Sequence, residues 1–234
     1  MTTRKQPPQQ PPPVQKLRLR YAKRGAARFT SHRDFGRALE RALRRADVPM
    51  AYSSGFNPHP RISYANAAPT SAASEAEYVE LGLAERCDPE KLAQALNESL
   101  PTGFLILDAA EALPEALGDL LQASDWEIAL AGAEPGVLAD AVSRFLAEEA
   151  FEVERMTKNG LRTFDARGAV LAAEVPDDST IRLRIEHGVP LVRPDDVVTA
   201  LRSLEPRLPK LALLTRLSQG PLRAGSIGDP LRTV

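Results

Sequence analysis

Four arginines in the first third of the chain have the spacing needed to bind a polyanion. They are Arg33, Arg37, Arg41 and Arg44, separated by four, four and three residues. In an α-helix this spacing places all four guanidinium groups on one face. Guanidinium groups bind phosphates through paired hydrogen bonds, whereas like charges this close destabilise an isolated helix by a few tenths of a kcal/mol. The spacing therefore predicts a phosphate-binding helix face, and an ordinary solvated face is the alternative.

Residues 52–60, with the sequence YSSGFNPHP, combine residue types that are typical of a binding loop. Gly55 permits a backbone turn with positive φ, and two prolines stiffen the chain on either side of His59. The aromatic rings are suited to stacking on nucleobases, and the amide and imidazole groups to contacting base edges or phosphates. The alternative is an ordinary connector in which Phe56 fills the core. The candidate nucleic-acid-binding residues are Arg33, Arg37, Arg41, Arg44, Arg45, Tyr52, Ser54, Gly55, Phe56, Asn57, His59 and Arg61.

Two histidines are weak candidates for catalysis. His32 falls in the first turn of the arginine-bearing helix, and a helix N-terminus disfavours a protonated imidazole. A neutral His32 could accept a proton while His59 donates one, which is the chemistry of a metal-independent endoribonuclease. The alternative is structural: His32 hydrogen-bonds locally and His59 fixes the loop.

Several kinds of site are excluded by composition. Cys87 is the only cysteine, so the chain can form neither an internal disulfide nor a cluster site that needs several thiolates. The sequence has no Gly-rich phosphate loop, dinucleotide fingerprint or nucleophile elbow. We therefore expect no cofactor and no metal site in this chain.

The apolar segments are too short for a membrane protein. None approaches the roughly 20 apolar residues that cross a bilayer, and the Pro/Gln-rich start lacks the apolar stretch of a signal peptide. We expect a cytoplasmic protein with no membrane partner.

The charge is distributed very unevenly along the chain. Residues 1–66 contain 14 basic and 3 acidic residues, a net charge of +11, whereas the remainder contains 16 basic and 28 acidic residues, a net charge of −12. This asymmetry favours a polyanion-binding face or a steered acidic partner, and a neutralised solvated surface is the alternative.

The elements that position these residues follow a β-α-β-β-α-β order in the first half. Apolar residues alternate with charged ones over residues 17–22, which is typical of a half-buried strand. Ser31 and Asp34 have capping-box spacing, so the basic helix begins there and ends before Pro49. The other predicted elements are a return strand at 28–30, strands at 61–66, 77–83 and 103–109, and a helix at 89–100 capped by Asp88.

The second half has a similar order with an extra hairpin. Its predicted elements are strands at 126–130, 151–156, 161–165, 169–175, 181–186 and 210–217 and helices at 135–149 and 194–204. We therefore predict an α+β fold with two tandem ferredoxin-like (split βαβ) domains. The predicted organisation is a disordered Pro/Gln tail at 1–15, a basic domain at 16–110, a linker at 111–124, a second domain at 125–218 and a flexible tail at 219–234.

Five segments within residues 16–110 resemble one known family. They are 16–23 (KLRLRYAK), 28–35 (RFTSHRDF), 38–46 (ALERALRRA), 52–63 (YSSGFNPHPRIS) and 74–81 (SEAEYVEL). This combination resembles the bacterial radical SAM-linked proteins, domain of unknown function family 2344, in their stand-alone form. Arg33 stands where that family usually has a hydrophobic residue.

The resemblance implies a partner but no catalytic residues. In that family the domain occurs alone or joined to a radical SAM enzyme, beside genes for an RNase E/G-type ribonuclease and ribosomal proteins. It implies an RNA-binding accessory that acts on ribosomal or transfer RNA with a radical SAM enzyme as partner. Two other functions stay open: an endoribonuclease using His32 and His59, and an interaction subunit whose basic face docks an acidic protein.

Overall fold

The computed structural model describes residues 9–157 and 160–232, which form an α+β fold. By the clustering of backbone contacts these residues divide into two units. Unit 1 comprises residues 9–70, 74–118 and 231–232, and unit 2 comprises residues 71–73 and 119–230. The main boundary, between Gly118 and Asp119, falls inside the linker predicted at 111–124.

Unit 1 is built on an antiparallel sheet with two helices. Its elements are β1 (Gln15–Lys23), a 3-10 helix (Gly25–Phe29), α1 (His32–Arg45), β2 (Ile62–Ala65), β3 (Ala73–Leu83), α2 (Pro89–Ser99) and β4 (Phe104–Glu111). The strand order is β4-β1-β3-β2, and each neighbouring pair is antiparallel. The return strand predicted at 28–30 is wrong, since residues 28 and 29 close the 3-10 helix. Three residues are too few to show the alternation that indicates a strand.

The core of unit 1 lies between this sheet and its helices. Leu17 and Leu19 on β1 are buried opposite Leu81 and Val79 on β3, because alternate residues of a strand face the same side. The apolar face of α1 covers them, and its Phe35 stacks on a β1 tyrosine at a ring separation of 4.2 Å. The basic side of α1 therefore faces away from the core.

Side-chain caps fix where the helices begin. The Ser31 hydroxyl accepts from the backbone N–H of Asp34 at 3.2 Å, as the capping-box spacing predicts for α1. The Asp88 carboxylate accepts from two backbone N–H groups in the first turn of α2, those of Glu90 and Lys91. Both predicted helix starts are confirmed.

Unit 2 contains four neighbouring antiparallel strands and the β6–β7 hairpin. The short helix α3 (Leu117–Leu120) spans the boundary between the units in the sequence. The elements of unit 2 are β5 (Ala123–Ala129), α4 (Val137–Ala147), β6 (Glu152–Thr157), β7 (Gly160–Asp165), β8 (Val170–Asp177), β9 (Thr180–Glu186), α5 (Pro194–Leu204), β10 (Leu213–Gly220), β11 (Leu222–Arg223) and β12 (Ser226–Ile227). The strand order is β10-β5-β9-β8, with antiparallel neighbours, and β6 pairs with β7 in a two-stranded sheet.

The two predicted tails are partly held in place. Residues 1–8 of the predicted disordered tail lie outside the described residues, but the backbone N–H of Val14 donates to Leu83 at 2.8 Å and Gln15 belongs to β1. The prediction of a flexible tail at 219–234 is wrong for the residues described. Leu231 is buried and Arg232 forms an ion pair with Asp108 of β4 at 2.7 Å, contacts with unit 1 that local sequence does not encode.

Among the described residues, no helix is long and apolar enough to cross a bilayer.

Candidate nucleic-acid interface

The arginine face of α1 is exposed over its whole length. Arg37 lies 3.6 Å from Asp34, and Arg44 lies 3.8 Å from Glu40, as exposed pairs within the helix. Exposed pairs of this kind contribute little to stability, because water screens them and ordering the side chains costs entropy. Both arginines therefore stay available to a stronger anionic partner.

Two further arginines on α1 have no protein partner within the described residues. The exposed guanidinium groups of Arg33 and Arg41 form neither an ion pair nor a hydrogen bond there. Arg45 differs, because it donates to the backbone carbonyl of Ser99 at the end of α2, 3.3 Å away. The structure thus places Arg45 at the contact between the two helices, whereas the other four arginines project into solvent.

The predicted binding loop is a short hairpin, here called the 51–61 hairpin. The backbone N–H of Ser53 donates to His59, and that of Arg61 donates to Ala51, both at 2.8 Å. These bonds pair the two arms in an antiparallel ladder and leave residues 54–58 as the tip. Gly55 there has φ +123°, a conformation that favours glycine.

Three hydrogen bonds that involve side chains stabilise this hairpin. The backbone N–H of His59 donates to the Ser53 hydroxyl at 3.0 Å, and the Nε of Arg61 donates to the Tyr52 carbonyl at 3.1 Å. The backbone N–H of Gln10 donates to the Ser54 hydroxyl at 2.9 Å. The residues before β1 thus help to fix the hairpin, as a preorganised binding site requires.

The aromatic side chains of the hairpin are accessible. Tyr52 is 41% exposed and Phe56 is 59% exposed, while Asn57 and His59 are also exposed. Phe56 therefore does not fill the core, and that alternative is wrong. Exposed aromatic rings beside arginines provide the stacking and charge that single-stranded nucleic acids need.

Residues 16–194 match the DUF2344 family, described as an uncharacterized protein conserved in bacteria. The chain belongs to the DUF2344 family. The match includes α1 and the 51–61 hairpin and continues through unit 2 to the start of α5, well beyond the segments at 16–110 that suggested it.

Solved structures also match this DUF2344 protein. Among them is the crystal structure of an unknown protein from Galdieria sulphuraria, with 18% identity and a TM-score of 0.25, covering 86% of this chain and 96% of that one. No curated protein matches the chain.

The four exposed arginines of the DUF2344 protein lie along α1. Arg33 and Arg44 are near its opposite ends, because 11 residues of helix span roughly 16 Å. Arg33, Arg37, Arg41 and Arg44 are here called the arginine strip. The 51–61 hairpin follows α1 in the sequence, and Met50, just before it, pairs with Leu83 where β3 ends.

The structure does not bring the two catalytic candidates together. The imidazole of His32 packs edge-on against the ring of Tyr64 on β2, with centroids 4.6 Å apart. His59 precedes Tyr64 by five residues of extended chain, or roughly 16 Å of backbone. A shared phosphodiester would need both rings within hydrogen-bond reach of the same group.

Tyr64 supports His32 as a neutral phenol. Burial, with a smaller contribution from Glu40, raises the pKa of Tyr64 to about 12. Gly36 on α1 leaves room for this ring, since a Cβ at that position would lie 3.3 Å from the Tyr64 hydroxyl. This contact fixes the imidazole of His32 against β2 and agrees with a structural role.

The three glutamates within β3 have partners other than the arginines of α1. Glu75 binds Arg24 at 2.7 Å, and the buried Glu77 accepts from the backbone N–H of Ala68 at 2.9 Å. Glu80 binds Lys16 and Arg18, both at 2.9 Å. Within the described residues no group of three or more His, Cys, Asp or Glu side chains is placed to hold a metal ion.

A cavity of about 230 Å³ lies at the base of the hairpin and was not predicted. Its lining residues are Pro13, Lys16, Pro60, Arg61, Ile62, Ser63, Glu80 and Gly82. The alternation along β1 does place Lys16 and Arg18 on the face opposite Leu17, and that pattern is the signal that could have indicated a basic face here. Gly82 lines the cavity and packs closely against Pro13, since a Cβ at position 82 would lie 2.9 Å from the Pro13 ring.

The charge of this cavity is positive on balance. Burial alone would raise the pKa of Glu80, but hydrogen bonds from Lys16 and Arg18 outweigh it and lower that pKa. Glu80 is therefore ionised and neutralised by two cations. Arg61 adds a further positive charge, since only its Nε is engaged within the described residues.

Proposed function

We propose that this DUF2344 protein binds ribosomal or transfer RNA through α1 and the 51–61 hairpin, as an accessory to a radical SAM enzyme in the bacterial cytoplasm. One observation carries the RNA-binding part: within the described residues Arg33 and Arg41 have no protein partner, and the hairpin that follows their helix in the sequence carries exposed aromatic side chains. Arginine binds phosphate through paired hydrogen bonds, and aromatic rings stack on bases.

The distribution of charge supports a polyanion as the ligand. Residues 1–66, which contain β1, α1 and the hairpin, have a net charge of +11 in a chain whose total is −1. A basic surface of this kind raises the association rate of nucleic acid and makes its binding dependent on salt.

The proposal includes two ferredoxin-like domains as the scaffold. In unit 1 the β-α-β-β-α-β order with the strand order β4-β1-β3-β2 fits that topology. In unit 2 the order β10-β5-β9-β8 is equivalent once the β6–β7 hairpin is treated as an insertion. The association with a radical SAM enzyme rests on the family resemblance.

A charge-reversal experiment tests the RNA-binding part. The purified protein is titrated into labelled ribosomal RNA fragments and transfer RNA over a series of salt concentrations. We expect binding that weakens steeply with salt, and its loss in the Arg37→Glu/Arg41→Glu variant. The matched control is Arg162→Glu/Arg223→Glu, which changes the net charge equally at exposed positions of unit 2.

The control separates a local site from bulk charge. If the control variant loses RNA as completely as the α1 variant, net charge rather than the arginine strip explains binding. If the α1 variant retains RNA, the strip is not the interface. Crosslinking in cells, read by RNA sequencing and by mass spectrometry in parallel, tests the RNA target and the radical SAM partner.

A further inference from the structure

We infer that the 51–61 hairpin and the cavity at its base bind one unpaired nucleotide, so that the RNA ligand is single-stranded at this position. The inference rests on the proposed function and names the form of RNA that this site selects. It depends on what the hairpin presents and on how α1 can approach RNA.

The hairpin presents groups that a continuous duplex cannot use. Tyr52 and Phe56 are exposed aromatic side chains, and an aromatic ring can stack only on a base whose own face is free. In an A-form duplex the bases are stacked on each other, and the major groove is too deep and narrow for side chains to read. A duplex would therefore contact the arginines of α1 but leave the aromatic rings of the hairpin unused.

The rigid arms of the hairpin favour this use of its tip. The ladder between residues 51–53 and 59–61 and the bond from Gln10 to Ser54 restrict motion before any ligand is present. A preorganised ring loses less entropy when a base stacks on it.

The cavity supplies the polar part of the same subsite. Arg61 connects the hairpin with the cavity, because its Nε donates to the Tyr52 carbonyl while its side chain lines the cavity. Lys16 and Arg61 can bind a phosphate, and the prolines and Ile62 provide an apolar wall. At about 230 Å³ the cavity is smaller than the roughly 300–1,000 Å³ pockets of drug-sized ligands, which suits part of one nucleotide in a strand.

A comparison of single-stranded with duplex RNA tests the inference. The full-length protein is titrated into a short labelled oligoribonucleotide and into its duplex with the complement. We expect the single strand to bind about 5- to 150-fold more tightly, since one stacked base contributes roughly 1–3 kcal/mol. Phe56→Ala should weaken single-strand binding by a factor in the same range and change duplex binding little.

Two further variants make the result specific. Phe56→Trp retains a ring and should preserve single-strand binding. Phe29→Ala removes another phenylalanine, 65% exposed and just before the start of α1, and should change binding less than about twofold. Arg61→Gln should weaken the single strand more than the duplex.

The outcomes separate this inference from the function on which it rests. Equal affinity for both RNAs, with loss in the Arg37→Glu/Arg41→Glu variant, would leave the RNA interface standing and overturn the unpaired-nucleotide subsite. Equal losses in Phe56→Ala and Phe29→Ala would also overturn the subsite. Failure of the unaltered protein to bind either RNA would overturn both proposals.

Discussion

His187 joins a chain of hydrogen bonds inside unit 2. The indole N–H of Trp126 donates to the Ser124 hydroxyl, the hydroxyl lies 2.8 Å from Nε2 of His187, and Nδ1 lies 2.7 Å from the Leu121 carbonyl. A carbonyl only accepts, so Nδ1 carries a proton, and in the neutral tautomer that this leaves, Nε2 accepts from the hydroxyl. The arrangement therefore suits a neutral imidazole.

This arrangement predicts a loss of stability in mild acid. Burial lowers the pKa of His187, the Leu121 hydrogen bond opposes this and nearby Arg216 adds to it. Below the ordinary histidine pKa of about 6.5, the unfolded chain binds a proton that the folded chain resists, so the free energy of unfolding falls as the pH drops. Urea unfolding at about pH 7.5 and about pH 5.5 measures this.

The control for this prediction is His187→Gln, which cannot titrate. It should lose part of the dependence on pH between these two values, while the other two histidines of the chain are the same in both proteins. An identical pH dependence in the variant and the unaltered protein would contradict the assignment to His187.

At the scale of elements, the turn before β4 packs closely against the 3-10 helix. The backbone N–H of Arg24 donates to the Gly103 carbonyl at 2.8 Å, and Gly103 has φ +94°. A Cβ at position 103 would lie 2.7 Å from the Ala27 Cβ and 2.9 Å from the Arg24 carbonyl. Only glycine meets both the conformation and the contact.

We therefore predict that Gly103→Ala lowers the free energy of unfolding by roughly 1–3 kcal/mol, because the methyl group must displace backbone and add strain at positive φ. The matched control is Gly118→Ala in α3, where a Cβ meets no atom within 4 Å and φ is not positive. Urea unfolding of both variants is the measurement. Equal stability of the two variants would show that the turn can relax.

The elements with a regular pattern could be predicted from sequence, and the irregular ones could not. The alternation of Leu17 with Arg18 gave β1, and Ser31 with Asp34 gave the start of α1, because these signals lie within a few residues. The 3-10 helix has no such period. β3 begins at Ala73 rather than at the predicted 77. The prediction missed its start because Ser74 is polar although it is buried, so the apolar alternation is not visible there.

The candidate site was predicted in its parts but not in its arrangement. The helical spacing indicates that Arg33 and Arg44 share a face, but not where the 51–61 hairpin begins. Its start is fixed by the pairing of Met50 with Leu83, a contact between residues distant in sequence. The cavity depends in the same way on Pro13 meeting Gly82.

At the scale of the whole molecule, unit 1 is discontinuous in sequence. Residues 231–232 belong with it although all of unit 2 comes before them. Leu231 is only 3% exposed, and Arg232 binds Asp108 on β4. The end of the described chain therefore contributes to the stability of the unit that carries the basic helix.

We predict that Leu231→Ala lowers the free energy of unfolding by roughly 2–5 kcal/mol, because a buried leucine is replaced by a cavity. The control is Leu217→Ala on β10, where the side chain is 40% exposed and the expected loss is smaller. Urea unfolding followed by circular dichroism measures both. A loss at position 231 no larger than that at position 217 would contradict a packing role for this residue.

The discontinuity of unit 1 also sets the order in which the molecule is completed during synthesis. Residues 119–230 must be polymerised between Gly118 and Leu231, which takes on the order of ten seconds at roughly 5–20 residues per second. Most acidic residues follow α1 in the sequence. The nascent chain therefore exposes its cationic helix on the translating ribosome before most of its acidic residues are made.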